Sequence, residues 1–199
     1  MDNVRQVLVK NGVHIGAQRK VKPMRKFVFK VREDGLAIIN IQNTIDRMKV
    51  AAKMICNYPA GDVLVVSGKE QAEKPAVKFA EYAKITYSMG RFMPGTMTNP
   101  SLDYFIEPKL LIATDPYVDR QAIKEAIDTG IPVICLASSN NLISNVDLVI
   151  PCNNKGKRSL AAVFWALTNF VLFEQGELKA DETIDEDVAD FMSDIEAED

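Results

Sequence analysis

Residues 63–87 read VLVVSGKEQAEKPAVKFAEYAKITY, a stretch in which two short apolar segments enclose a segment with helical spacing. The apolar segments, Val63–Val66 and Ile85–Tyr87, are rich in β-branched residues and predict strands. Between them the pattern predicts a helix that begins near Glu73, with Pro75 in the first turn, where proline is tolerated. A strand, a helix and a second strand in this order predict a βαβ unit with two parallel strands.

The same alternation of apolar runs and helical patterns continues on both sides of this stretch. The further runs lack a strict alternation of polar and apolar residues, as expected of strands that are covered on both faces. We therefore predict an α/β fold, with a mostly parallel sheet and helices on both of its faces. The additional predicted strands are Ala37–Ile41, Leu110–Ala113, Val133–Leu136 and Leu148–Ile150.

Capping residues and glycines predict where the helices begin and end. Thr44 is placed to cap the helix that follows the first apolar run. Another helix follows Asp119 and ends at Gly130. The segment Ser159–Glu174 is apolar nearly all round, which predicts a buried helix with Trp165 in the core.

The N-terminal part of the chain predicts a short helix and a β-hairpin. Val4–Val9 has helical spacing. Phe27–Val31 and Leu36–Ile41 are separated by a turn at Asp34-Gly35, and this arrangement predicts that the two segments pair as an antiparallel hairpin.

The formal net charge of −3 conceals a division of charge at Gly176. Residues 177–199 contain 11 acidic residues and one lysine, whereas residues 1–176 contain 23 basic and 16 acidic residues. The chain has 199 residues, of which 47% are hydrophobic, and this is enough for one sizeable core. We expect one α/β domain over residues 1–176 and an acidic C-terminal tail over residues 177–199.

The acidic tail also carries apolar residues at roughly helical spacing. The pattern predicts a short amphipathic helix that docks on a partner, and disorder in isolation is the alternative. Under either interpretation, removing residues 177–199 leaves the domain folded. The apolar residues are Ile184, Val188, Phe191, Met192 and Ile195.

Basic residues concentrate between Gln18 and Lys30, a stretch with six basic residues and no acidic one. We call residues 18–30 the basic segment. Such clustering predicts a polyanionic partner, and a solvated surface loop is the alternative.

Composition excludes several other classes of protein. The three cysteines are widely spaced without a C-x-x-C pair, and the chain has a single histidine, so we expect no metal site and a reducing cytoplasm. The longest apolar stretch, residues 160–173, spans 14 residues, whereas a membrane-spanning helix needs about 20. Residues 1–10 lack the apolar core of a secretory signal.

A parallel α/β sheet raises the hypothesis of a nucleotide-dependent enzyme, since ligands bind such sheets beyond the carboxyl ends of the strands. No G-x-G-x-x-G follows a predicted strand, and the Lys155–Ser159 stretch lacks the glycine spacing of a phosphate loop. His14 has no nucleophile or orienting acid nearby, and turn and helix-start roles account for Asp115 and Asp119. We therefore expect no enzymatic activity, no cofactor and no small-molecule substrate.

The start of the last predicted helix remains a candidate phosphate site. Backbone N–H groups at a helix start, beside Lys155, Lys157 and Arg158, are suited to hold a phosphate. The alternative is an unoccupied helix start that Asn153 and Asn154 cap.

The segment Gly90–Pro100 is a second candidate, because its glycines permit a close approach of the backbone and it contains no acidic residue. Its polar side chains offer partners for phosphates and sugars. A purely structural loop, with Phe92 in the core, is the alternative. The polar candidates are Arg91, Thr96, Thr98 and Asn99.

Five motifs occur along the chain in a fixed order. They are Gly12-Val13-His14-Ile15-Gly16, Asp34-Gly35-Leu36 running into Ile39-Asn40-Ile41, Gly90-Arg91-Phe92 with Pro94-Gly95-Thr96 and Thr98-Asn99, Asp115-Pro116, and Ile150-Pro151-Cys152-Asn153-Asn154-Lys155-Gly156. Taken together, they closely resemble the small-subunit ribosomal protein two family. The third and fifth resemble its archaeal and eukaryotic branch, whose eukaryotic member is called the laminin-receptor precursor. The resemblance covers about residues 4–176.

The resemblance implies a Rossmann-like, flavodoxin-like sheet and a structural, non-catalytic role in the small subunit of cytoplasmic ribosomes. It implies binding to small-subunit ribosomal RNA and to neighbouring ribosomal proteins, with no membrane partner. The RNA-facing residues expected from it are His14, Arg19, Lys20, Lys22, Arg25, Lys26, Lys30, Arg91, Thr96, Thr98, Asn99, Lys155, Lys157 and Arg158.

Two departures from related sequences favour the archaeal form. Bacterial members insert a helical hairpin, whereas here Pro100–Pro108 leads almost directly into the next strand. The tail lacks the long extension of animal members. The competing interpretations are a nucleotide-dependent enzyme on the same fold and a protein-only adaptor that acts through its tail.

Overall fold

The computed structural model describes residues 2–179 and 182–193 and contains a parallel sheet, a separate hairpin and flanking helices. The strands are β1 Val28–Val31, β2 Ala37–Ile39, β3 Val63–Ser67, β4 Thr86–Met89, β5 Leu110–Ala113, β6 Val133–Ala137 and β7 Leu148–Pro151. The helices are α1 Asp2–Lys10, α2 Ile41–Cys56, α3 Glu70–Ala83, α4 Arg120–Asp128 and α5 Lys157–Glu174.

Five strands form the parallel sheet, in the order β4-β3-β5-β6-β7. This is the flavodoxin-like order, in which the first strand of the sheet has the second on one side and the third on the other. The predicted Rossmann-like fold is therefore confirmed. The order reverses between β3 and β5, and their carboxyl ends border the crevice in which proteins of this architecture bind ligands.

The run Ala37–Ile41 does not belong to the parallel sheet, contrary to the prediction. Its first three residues form β2, which pairs antiparallel with β1 and completes the predicted hairpin. The strand stops because the Asn40 side chain accepts a hydrogen bond from the Gln42 N–H (3.0 Å), so that α2 begins at Ile41. Thr44 is therefore not the cap. It is buried, and its hydroxyl donates to the Pro151 carbonyl (2.7 Å).

Helix α3 begins at Glu70 and not near Glu73, so Pro75 lies beyond the first turn. The proline is buried inside the helix, where it cannot donate a backbone hydrogen bond. The predicted ends of α4 and α5 agree with the structure to within two residues.

Helices cover both faces of the sheet, as predicted, but in unequal numbers. Helices α1, α2, α3 and α5 share the larger core, whose aromatic centre is the pair Phe79 and Phe164, with ring centroids 5.8 Å apart. Helix α4 and the 90–109 loop cover the opposite face. In α5, 14 of 18 residues are buried, Trp165 among them, because neighbouring helices and the sheet surround it.

No helix occurs between β4 and β5, so the expected absence of a helical hairpin agrees with the described loop. Residues 90–109 form turns that run from the carboxyl end of β4 along α4. Their last residues pair with the loop before β3, where the Lys109 N–H donates to the Asp62 carbonyl (2.7 Å).

The segment 182–193, here called the tail segment, packs on its own domain and contains no helix among these residues. Phe191 is fully buried, and its ring stacks on Tyr82 with centroids 6.2 Å apart. The Trp165 Nε1–H donates to the Glu186 carbonyl (2.9 Å), and the Lys78 ammonium pairs with the Glu186 carboxylate (2.5 Å). The prediction of an amphipathic helix for a partner is therefore wrong for these residues.

The tail segment is acidic, which is typical of a disordered tail, but its apolar residues explain why it packs on the domain. Ile184, Val188 and Met192 pack beside Phe191 on the core shared by α3 and α5. Residues 182–193 thus pack on the domain although they lie beyond the division of charge at Gly176. Ile195, which completed the predicted pattern, lies outside the described residues.

Candidate nucleic-acid interface

Two of the predicted basic stretches, about 130 residues apart in sequence, meet at the carboxyl ends of β6 and β7. The basic segment and the loop before it contact the residues that follow these strands. The Asn153 N–H donates to the Val13 carbonyl (2.9 Å), and the Val21 N–H donates to the Ser139 carbonyl (3.0 Å). The Ser139 hydroxyl accepts from the Ala17 N–H (2.8 Å).

Gly16 is required where this loop crosses the sheet edge. A Cβ atom at this position would lie 2.9 Å from both the Ala37 carbonyl oxygen and the Ser139 hydroxyl, which is closer than real Cβ contacts come. The Gly16 N–H also donates to the Ala37 carbonyl (2.8 Å). The absence of a side chain therefore lets the hairpin and the β6 loop hold the backbone that leads into the basic segment.

The basic segment is a folded part of the domain and not a solvated loop. Its central residues form a 3-10 helix, Lys22–Phe27, with a proline near the start. Met24 and Phe27 are buried in a small core with Ala137 of β6 and Val149 of β7. Met24 and Phe27, one turn of the 3-10 helix apart, thus anchor the segment, and the exposed residues carry its charge. These exposed residues are Arg19, Lys22, Arg25, Lys26 and Lys30.

His14 and Lys20 have structural contacts in addition to their predicted role. The Lys20 ammonium donates to the Gly35 carbonyl (2.9 Å) and is half-buried. The His14 carbonyl accepts from the Ile39 N–H (2.7 Å), and its Nδ1 is buried without a hydrogen-bond partner among the described residues. Both residues therefore tie the loop to the hairpin.

The 153–158 loop leads into α5 at the carboxyl edge of the sheet. The Asn153 side chain accepts from the N–H groups of Lys155 (3.1 Å) and Gly156 (3.3 Å), and Gly156 is the residue that precedes the helix. Lys155 and Arg158 are exposed, and Lys157 is half-buried. Cations thus stand at the positive end of an 18-residue helix, which is favourable for an anion.

Asn154 does not cap this helix, contrary to the alternative considered from sequence. It is fully buried, and its amide donates to the Asp115 carboxylate (3.1 Å) and to the Asn141 side chain (3.1 Å). The Lys69 ammonium donates to the Asn154 carbonyl (2.7 Å). These contacts fix the backbone of the 153–158 loop from beneath.

The Gly90–Pro100 segment is divided between an exposed start and a structural remainder. Arg91 is exposed next to the carboxyl end of β4. Thr96 is buried and donates to the Met93 carbonyl (2.6 Å), which is against a direct contact with RNA. Thr98 and Asn99 are exposed, and the Thr98 hydroxyl lies 3.4 Å from the Glu125 carboxylate of α4 as a donor.

Glu125 of α4 organises this loop, and sequence reasoning missed it. Its carboxylate accepts from the N–H groups of Gly95 (2.8 Å) and Met97 (3.0 Å) and from the Gln121 amide (2.8 Å). Burial opposes ionisation of the carboxyl, but these hydrogen bonds outweigh it and lower the pKa of Glu125. Glu125 is one of four charged residues on α4, and nothing in the sequence distinguishes it from the others.

The crevice between β3 and β5 is filled by the protein's own side chains. The Asp119 carboxylate accepts from the N–H groups of Gly68 (2.7 Å), Thr114 (2.8 Å) and Asp115 (2.9 Å). The pKa of Asp119 is raised, because the effect of burial exceeds that of these hydrogen bonds, which lower the pKa. The Lys69 ammonium pairs with Asp115 (2.5 Å). Backbone N–H groups of the loops at this crevice are thus bound to a carboxylate of the protein itself.

Lys69, Asn141 and Asn154 also take part in this network, and their interaction was not predicted from the sequence. A signal was present, because polar residues follow the carboxyl ends of β3, β5 and β6. Asp119 precedes α4 as expected, but it makes no capping bond to the helix. Its carboxylate instead joins the loop after β3 to the loop after β5.

The fold and the charge distribution define an α/β domain with a folded basic edge. Comparison with known proteins narrows this class. A model of the family described as "Ribosomal protein S2" matches residues 8–102 and 103–172. The chain belongs to the ribosomal protein S2 family, and its role is that of a structural ribosomal protein and not of an enzyme.

Two archaeal relatives match nearly the whole chain. "Small ribosomal subunit protein uS2" of Nitrosopumilus maritimus is 43% identical over 196 residues, which cover 98% of this chain and 95% of that protein. The protein of the same name from Thermoplasma acidophilum is 44% identical over 186 residues, which cover 94% of each. The expected family and its archaeal form are thus confirmed.

None of the helices in the described ranges combines the length and apolarity needed to cross a membrane.

Proposed function

We propose that the chain is a structural constituent of the small ribosomal subunit in the cytoplasm, and that it binds small-subunit ribosomal RNA through the carboxyl edge of its sheet. Membership of the family supports the assignment to the subunit. One observation carries the assignment of the edge. The basic segment and the 153–158 loop converge there, joined by hydrogen bonds through Val13, Ser139 and Asn153.

The edge combines cations with the positive end of a helix. Arg19, Arg25 and Lys26 are exposed on the basic segment, and Lys155 and Arg158 are exposed at the start of α5. Contacts of this type neutralise phosphates without reading a base sequence, so they position the protein on folded RNA. Because Met24 and Phe27 are buried, the cations are held in place before RNA binds, and less ordering entropy opposes binding.

Arg91 extends the proposed interface along the same edge, whereas Thr96, Thr98 and Asn99 contribute little to it. Gly90 is held at the carboxyl end of β3, since its N–H donates to the Ser67 carbonyl (2.8 Å). The acidic tail segment packs on α3 and α5 and not at this edge. This separation of charge leaves the basic edge accessible to a polyanion and supports a protein neighbour on another face.

The test is the salt dependence of binding to small-subunit ribosomal RNA. The triple variant Arg19→Ala, Arg25→Ala and Lys26→Ala removes three exposed cations, and Lys20 is retained because it holds the Gly35 carbonyl. Each lost phosphate contact lowers the slope of log K against log salt by roughly 0.7 to 0.9, so we expect the slope to fall by about 2 to 3 for three lost contacts.

A matched control removes three exposed or half-buried cations from α1 and α2, which lie in the helical layer: Arg5→Ala, Lys49→Ala and Lys53→Ala. This control is expected to retain most of the wild-type slope. Equal slopes for the wild-type protein and the triple variant of the basic segment would refute the proposed edge. Sedimentation with small subunits in low and high salt tests the assignment to the subunit independently.

A further inference from the structure

We propose that the groove between α4 and the 142–145 loop is a subsite for an unpaired RNA nucleotide, with its base stacked on Tyr117 and its phosphates held by α4. The inference rests on the proposed function, since it adds a second type of contact to the same RNA partner. The groove has a volume of about 480 Å³. Its lining includes Tyr117, Arg120, Ile123, Lys124, Leu142 and Asn145.

The Tyr117 ring is positioned by its backbone and by its hydroxyl. The Tyr117 N–H donates to the Asp115 carboxylate (2.8 Å), which the Lys69 ammonium also holds. The hydroxyl lies 3.4 Å from the Asn140 carbonyl as a donor. The side chain nevertheless remains 49% exposed. A tyrosine that is held at both ends and half in solvent offers a preformed surface for a base.

The charge of the groove suits an anion. Arg120 and Lys124 lie one helical turn apart on α4, so both project on the same side. Neither forms an ion pair with the residues that the structure describes, and the groove lining contains no carboxylate. Two cations beside an exposed aromatic ring are the combination by which proteins bind single-stranded nucleic acid.

The groove is continuous with the proposed RNA-binding edge. The loop that follows β6 contacts the basic segment through Ser139 on one side and lines the groove with Leu142 and Asn145 on the other. Asn140, between them, accepts from Tyr117. RNA that contacts the basic segment therefore has a path into the groove over a single loop.

A protein partner fits this groove less well. Tyr117 and Leu142 supply the exposed apolar surface, because Ile123 is only 5% exposed. Two half-exposed side chains are far from the roughly 800 Å² per partner that a stable protein interface buries. A stacked base and adjacent phosphates need only one ring and two cations.

The experiment compares binding of the full chain to naked small-subunit ribosomal RNA for variants of the groove. Tyr117→Ala should weaken binding at least about fivefold without changing the salt slope, because base stacking is lost and no charge is removed. Tyr117→Phe retains the ring and should bind within about twofold of wild type. Arg120→Ala with Lys124→Ala should lower the salt slope by about 1 to 2.

The matched control substitutions lie on other surfaces of the domain. Tyr87→Ala removes a ring of similar exposure (47%) from the opposite edge strand, and Lys49→Ala with Lys53→Ala removes two cations one turn apart on α2. Neither control is expected to reproduce the loss. Ultraviolet cross-linking adds a readout that is independent of affinity, since a base stacked on Tyr117 should cross-link to that residue.

The outcomes separate this proposal from the proposed function. Unchanged RNA affinity for Tyr117→Ala, together with an unchanged salt slope for the α4 double variant, would overturn the proposed nucleotide subsite in the groove. If the basic-segment variant still weakens binding in that case, the RNA-binding edge stands. If Tyr117→Ala impairs incorporation into subunits but not binding to naked RNA, the occupant is a protein and the proposal is wrong.

Discussion

Replacing Phe191 with alanine tests whether the acidic tail segment is part of the folded domain. The Phe191 ring is fully buried, stacks on Tyr82 and has the Lys78 ammonium 5.5 Å from its centroid. Phe191→Ala therefore removes the largest apolar contact between the tail segment and the helices. Charge alone predicts the opposite, a tail whose loss leaves the domain unaffected.

The expected loss of stability is about 3 kcal/mol. Truncation of a buried phenylalanine to alanine costs roughly 3 to 5 kcal/mol when the cavity remains. Undocking of the tail segment limits the loss, because the chain can release the segment instead of keeping the cavity, so we take the lower end of that range. For a chain of this length, about 1 kcal/mol corresponds to about 2 to 4 °C in Tm, which gives a decrease of roughly 6 to 12 °C.

Thermal unfolding followed by circular dichroism measures the decrease, and fluorescence of the single tryptophan reports on docking. Trp165 is 5% exposed and donates to the Glu186 carbonyl, so undocking should shift its emission to longer wavelength. Phe29→Ala is the matched control, since Phe29 is 71% exposed. A Tm of Phe191→Ala within 1 °C of wild type, with unchanged emission, would refute the docked segment.

Two further predictions concern buried groups. Hydrogen bonds lower the pKa of Glu125 despite its burial, so its contribution to stability is complete above the ordinary value of 4.5 and is lost as pH falls through the lowered pKa. Glu125→Gln should cost about 1 to 3 kcal/mol at neutral pH and flatten the acid limb of a plot of Tm against pH, and an unchanged acid limb would contradict this role. Burial raises the pKa of Cys152 to about 12, so iodoacetamide at pH 8 should leave it unmodified in the native protein and modify it after denaturation. Cys56, which is half-buried, serves as the internal comparison, and native labelling of Cys152 faster than that of Cys56 would contradict the buried assignment.

Much of the fold could be predicted because its signals are local. The runs Val63–Val66 and Val133–Leu136 are apolar throughout since both faces of those strands are covered, and such runs are visible in sequence. Helix α5 is apolar all round for the same reason. The hairpin around Asp34-Gly35 follows from its turn. Predictions of this kind were wrong at element starts, where Asn40 and not Thr44 caps α2, for the run Ala37–Ile41, which does not join the parallel sheet, and for the tail segment, which is not helical.

The candidate site could be predicted in part. The concentration of cations in the basic segment is a property of composition, and the exposed residues of that segment carry the proposal. The contacts of Thr96 and the roles of Lys69 and Glu125 could not be inferred, because their partners are 28 to 85 residues distant or are backbone groups of a loop. Hydrogen bonds of this range leave no periodic pattern.

The sequence by itself determined the α/β class, the family motifs and the division of the chain into basic and acidic parts. Only the tertiary structure decided that Asn153 bonds to Val13 and Val21 to Ser139, and that Phe191 packs on the core shared by α3 and α5. The physical reason is that helix and strand periodicity record which face of an element is covered, but not by which distant residue. That choice depends on the order of strands in the sheet and on the summed burial of segments that are remote in the chain.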